Sequence, residues 1–101
     1  MGVPKAERHN PEPRFPLGVT VATPGALAAL EAAGQDPAEL FSRHQSGDWG
    51  DLDEHDRREN EFSVNRNLRI LSAYNLSTDV KVWLITEADR SATTILLPDE
   101  Y

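Results

Sequence analysis

The residues best suited to chemistry fall in two short words. The first is HQSGDWGD, which gathers His44, Asp48, Trp49 and Asp51. A histidine beside a glycine-bordered turn can serve as general base or acid, with an aspartate fixing its tautomer. The same word has a structural reading. Trp49 plugs a sheet against helices, Asp48 closes the turn, and a histidine near a helix end answers the helix dipole. The structural reading is favoured. The second word is ADRSATT, residues 88–94. Asp89 and Ser91 suit a hairpin turn because their side chains bond their own backbone. Arg90 has no turn preference, and its planar fork suits a phosphate or a carboxylate. Loops at the end of a rigid sheet are common places for binding groups.

Other chemical signals are sparse. His44 and His55 match no standard ligand spacing, and His55 with Glu59 spans a single helical turn, so no metal site is expected. Zero Cys removes thiol nucleophiles, disulfides and Cys-type zinc sites. There is no Gly-rich phosphate loop, nucleophile elbow or Walker-type lysine. No cofactor is expected, and the balance is against an enzyme.

The elements that would hold these residues can be read in order. With 101 residues the chain has room for one domain. Residues 1–16 carry four prolines among charged residues and predict a flexible Pro-rich arm, leaving 17–101 as the single domain. GVTVAT (18–23) alternates weakly, as a short strand does. Thr23-Pro24 and Asp36-Pro37 each start a helix, with Gly34 ending the first and Gly47 near the end of the second. Asp51 or Asp53 can cap a third helix over 54–64, almost wholly polar, with Phe62 as its anchor. The period then shortens. Residues 68–75, 80–87 and 92–97 are strand-like and separated by short turns, which predicts an antiparallel meander. The expected fold is α+β, with about three N-terminal helices packed on a three- to four-stranded antiparallel meander sheet. The expected core is Leu27, Leu30, Leu40, Phe41, Trp49, Phe62, Ile70, Val82, Leu84, Ile95 and Leu97.

Charge adds a functional bound. The chain has 17 acids and 10 bases, a net of −7, and the span from Glu31 to Glu61 carries all of it. Such a field opposes contact with phosphates, so direct nucleic-acid binding is not expected. An acidic face suits a protein partner with a basic surface. The candidate binding residues are Asp48, Trp49, Asp51, Asp53, Asp56, Glu59, Asp89 and Arg90. No apolar run reaches membrane-spanning length and the N-terminus has no signal-peptide core, so the expectation is a cytoplasmic protein without a membrane partner. Self-association is compatible with the sequence.

DWGD (48–51), LSAY (71–74) and ITEADRSATTILLP (85–98) together carry a family resemblance. Residues 17–101 resemble short, uncharacterised plasmid-related proteins of plasmids and integrating mobile elements. At Asn65-Arg66-Asn67 this chain departs from the Gly-rich turn the resemblance implies. The resemblance implies a mobile-element setting and brings no catalytic residues. Within it, the favoured function is an accessory protein that acts by protein binding, as an acidic inhibitor of a host defence complex of the restriction or CRISPR kind. Such complexes hold nucleic acid in basic grooves. An alternative is a small ribonuclease or toxin domain resembling barnase, whose element order is similar. His44 or His55, with Arg69, Arg90 and Thr94, would then supply base, acid and phosphate contacts. The final hairpin has Asp89-Arg90-Ser91 where barnase carries a histidine. A further alternative is a structural subunit of a larger assembly.

Overall fold

A computed structural model describes residues 12–101. Its helices begin where side chains can satisfy the first free N–H groups. Thr23 caps α1 (Pro24–Ala33) by accepting from the Ala26 N–H at 3.1 Å, and Gly34 ends it at φ 67°. Asp36 caps α2 (Pro37–Gln45) through the Ala38 N–H. Asp53 caps α3 (Glu54–Val64) through the Asp56 N–H. The strands are β1 (Val19–Ala22), β2 (Ile70–Asn75), β3 (Lys81–Thr86) and β4 (Ala92–Leu96). A short 3-10 turn, Pro98–Glu100, follows, and its Glu100 carboxylate accepts from the Thr23 hydroxyl at 2.6 Å.

The sheet order is β1-β4-β3-β2. β2, β3 and β4 form the expected antiparallel meander. β1 corrects the rest of that expectation, because it joins beside β4 in parallel, with Val19 opposite Ala92 and Ala22 opposite Ile95. The sheet is therefore mixed. The Val19 N–H to Ser91 carbonyl bond and the Thr23 N–H to Ile95 carbonyl bond fix that register at both ends. Short turns predict hairpin pairing only between neighbours in sequence, so this long-range pairing left no local signal.

The main core lies between α1, α2 and one sheet face. Ala26, Leu30 and Leu40 meet Tyr74, Leu76, Val82, Leu84 and Ile95 there. A smaller cluster joins Phe15, Trp49 and Ile70. Two expected core residues are misplaced. Leu27 and Phe62 are about half exposed. Phe62 does not anchor α3 but carries the Arg66 guanidinium 3.9 Å above its ring. α3 differs correspondingly from a helix laid on the sheet. Its buried residues are Asn60 and Ser63, and it runs along the β2 edge.

The arm boundary also shifts. Residues 1–11 of the expected arm lie outside the described residues, but Arg14 and Phe15 belong to the fold. Phe15 is buried between Trp49 and His44, and the Arg14 guanidinium bonds both Glu61 carboxylate oxygens at 2.8 and 3.0 Å. Its proline neighbours masked an aromatic whose burial is worth about 2 kcal/mol.

Candidate functional site

His44 sits on α2 with its ring wholly enclosed. It is the centre of a polar chain threaded through the core. The Thr93 hydroxyl donates its one proton to the Leu17 carbonyl at 2.8 Å. Thr86 Oγ1 then donates to Thr93 Oγ1 at 2.7 Å and accepts from His44 Nε2–H at 2.8 Å. His44 Nδ1 is left to accept from the Ser72 hydroxyl at 2.5 Å. This order satisfies each partner with the protons available and selects the neutral Nε2–H tautomer. Burial drives the same way, lowering the His44 pKa to about 3. A base that is neutral, sealed and doubly hydrogen-bonded ties α2 to β2 and β3, and has no face toward solvent for proton transfer.

Trp49 is buried beside it and donates its indole N–H to Glu61 at 3.0 Å. Asp48 pairs with Arg43 at 2.7 Å, which holds its carboxyl below the usual range. Its backbone carbonyl accepts from the Tyr74 hydroxyl at 2.6 Å. Burial pushes that phenol up to about 12. Arg43 also lies 4.5 Å over the Tyr74 ring. Glu61 is held low by Arg14 first, with the Trp49 indole adding to it. Asp48, Trp49 and Glu61 are therefore occupied in holding the turn.

Arg90 adopts φ 62°, a conformation non-glycine residues rarely take. Its guanidinium repays the strain by reaching four backbone carbonyls. Nη1 donates to Leu68, Glu87 and Ala88 at 2.8–3.1 Å, and Nη2 donates to Ser63 at 2.9 Å. The Ser63 carbonyl belongs to the last turn of α3, where a cation opposes the helix dipole. Asp89 accepts from the Ser91 N–H, and the Ser91 side chain and backbone lower its pKa. The hairpin word thus builds a cross-tie from the β3–β4 turn to the end of α3.

The residues of the ribonuclease alternative do not converge. His44 reaches from α2 to the sheet face that carries Thr86 and Thr93. Thr94, the next residue along β4, points to the other side of the sheet. Arg69 is on the surface, bonded to the Tyr101 hydroxyl at 2.5 Å and 3.8 Å from Glu87. Arg90 is held by carbonyls. No group of three or more potential metal ligands occurs among the described residues.

The exposed candidates instead line the β2 margin. Gly50, at φ 76°, lets 49–51 run beside Ala73 as an isolated parallel bridge. Asp51 N–H donates to the Ala73 carbonyl at 2.6 Å, and the Ala73 N–H donates to the Trp49 carbonyl at 3.2 Å. A Cβ at Gly50 would run into the Ala73 carbonyl and the Tyr74 ring. The Asp51 carboxylate accepts from the Asn75 N–H at 3.1 Å. Asn60 pairs both ways with the Leu71 backbone, at 2.6 and 3.2 Å. Along this margin Asp51, Asp53, Asp56 and Glu59 are exposed. Among the described residues none of the four pairs with Lys or Arg, and Glu59 meets only His55 at 4.0 Å. A cavity of about 200 Å³ opens between α3 and β2, with Leu52 and Leu71 beside Asp56, Glu59 and Arg69.

Sequence reasoning missed Asn60, Ser72, Thr86 and Thr93. A buried Asn on a polar helix has no sequence signature. The threonines did leave one, since they continue the inward alternation of Val82 and Leu84 and of Ile95. Compared with protein-family models, curated proteins and solved structures, the chain matches none.

Proposed function

We propose that this protein acts by binding another protein through the acidic ridge on the β2 margin. The observation that carries the reading is the division of the acids. Asp48 and Glu61 are paired internally, whereas Asp51, Asp53, Asp56 and Glu59 are exposed and none of them forms an ion pair with Lys or Arg among the described residues. Opposed charge speeds encounter and favours a basic partner over an acidic one. The cavity beside the ridge offers Leu52 and Leu71 to the stem of a partner side chain, and Asp56 and Glu59 outnumber the one cation that lines it, Arg69. The partner class is a protein that holds nucleic acid in a basic groove. In the mobile-element setting that the resemblance implies, it is a host defence complex.

The ridge can be tested without touching its structural acids. Asp53 caps α3 and Asp51 holds the Asn75 N–H, so the informative variant is Asp56→Lys/Glu59→Lys. The tagged protein should retain a nucleic-acid-binding protein from host lysate at low salt and release it at high salt. The double variant should lose it while remaining folded, with a stability loss of about 1 kcal/mol because Asp56 lies in the first turn of α3. Equal recovery by wild type and variant would overturn the ridge reading.

A further inference from the structure

Among the described residues the other margin of the sheet shows no comparable cover. Among the described residues β1 pairs only with β4, and along this edge Val19 is 66% and Val21 is 44% exposed. The N–H groups of Val19 and Thr23 point to β4. By the alternation of a parallel ladder, Thr20 and Ala22 direct their N–H and C=O groups outward. Among the described residues no partner meets them. Natural edges are ordinarily blunted by charge, proline or a bulge. Here residues 15–30 contain no charged side chain, and β1 itself contains no proline.

We propose that the β1 edge pairs with β1 of a second copy, making one continuous eight-stranded sheet across a twofold axis. The strand is self-complementary in the register that places Val21 against Val21 of the partner. Thr20 then faces Ala22 of the other copy on both sides of the axis, and the four outward N–H groups find four carbonyls. Val21 falls at a non-hydrogen-bonded position, which agrees with its N–H being turned to β4. The charge distribution favours this partner. The net charge resides in 31–61, whose acidic ridge lies at the far margin of the sheet. Seven strand spacings would separate the two β2 strands by ~34 Å. That exceeds the ~8 Å screening length at physiological salt, so the ridges of two −7 copies do not oppose the joining, and Glu100, bonded to the Thr23 hydroxyl, is the charge beside the end of β1. This inference is independent of what the ridge binds.

The absence of cysteine makes the test direct. In the proposed register the two Val21 Cα atoms are ~4.5 Å apart, within disulfide reach, whereas the two Val19 Cα atoms are ~14 Å apart. Val21→Cys should form a covalent dimer on mild oxidation, and Val19→Cys should not. Sedimentation should show wild-type dimer at high concentration and Val21→Lys monomer, with the Asp56→Lys/Glu59→Lys variant still dimeric. A wild type that stays monomeric at all concentrations overturns the proposal and leaves the edge to an extended segment of another protein. Equal cross-linking at positions 19 and 21, or a dimer indifferent to Val21→Lys, overturns it as well.

Discussion

At the β2 margin the backbone of the edge strand is met by the chain's own groups. Ala73 is paired by Trp49 and Asp51, Leu71 by the Asn60 amide, and Asn75 by the Asp51 carboxylate. At the β1 margin nothing comparable is present among the described residues. The two margins differ in the residues that flank them. Closing an edge from outside needs side chains that imitate a backbone and a chain that can come close. The polar segment 48–61 supplies Asp51, Asn60 and Gly50 for this purpose. The segment around β1 is Leu, Gly, Val, Thr, Ala and Pro, and its Gly18 lies against Ser91 on the β4 side, away from the outer edge. The contrast also accounts for a helix as polar as α3. It is held less by apolar burial than by bonds to a strand edge and by the Arg90 tie at its end.

The contrast breaks most severely at Gly50. Gly50→Val should cost at least ~3 kcal/mol, because left-handed strain adds to the collision with Ala73 and Tyr74. Gly34→Val, with the same sign of φ and open space around it, should cost less, about 2 kcal/mol, from left-handed strain alone. Urea titration of both variants measures the difference, and equal losses would mean that the closed margin is not tight. Asn60→Ala comes next. It leaves both Leu71 backbone groups unmet and should cost about 2–3 kcal/mol. Faster amide exchange at Leu71 should accompany the loss, with Ile95 protection unchanged relative to global stability.

A smaller effect than at Gly50 or Asn60 belongs to the ground between the margins. His44 is neutral when folded, with its pKa lowered to about 3, so between there and ~6.5 the unfolded chain binds the extra proton. Stability then rises with pH across that window and falls as pH drops. His44 alone should remove ~2 kcal/mol between pH 7 and pH 5. The paired carboxylates of Asp48 and Glu61 add their own loss at lower pH, because their folded pKa values are depressed. Proton NMR of the imidazole is the check. A ring titrating near 6.5 in the folded state would contradict the sealed chain.

Much of the framework was legible because its signals are local. Thr23, Asp36 and Asp53 cap helices as their residue types predict, and the three C-terminal runs are strands. What sequence hid was non-local or counter to type. The parallel docking of β1 depends on a partner far along the chain. Phe15 is an apolar residue among prolines. Phe62 sits on the outer side of a helix whose inner side is Asn60 and Ser63. At the site, acids were legible as a charged segment, but not which of them would be spent internally. That division follows from where Arg14 and Arg43 land, and only the fold decides it. Arg90 was conspicuous for its residue type, and its fork found carbonyls of this chain.

The pairing of β1 with β4 also has a kinetic consequence. The hydrogen bond from Thr93 to Leu17 joins residues 76 apart in sequence. Closing so long a loop is entropically slow compared with zipping the β2–β3–β4 meander, whose turns are short. The first strand of the sheet is therefore expected to be the last to dock. During that interval β4 is itself an exposed edge, and its natural occupant is an uncharged segment of the same molecule. A fold finished by a contact so distant in sequence depends, while forming, on intramolecular closure outrunning encounters with other chains.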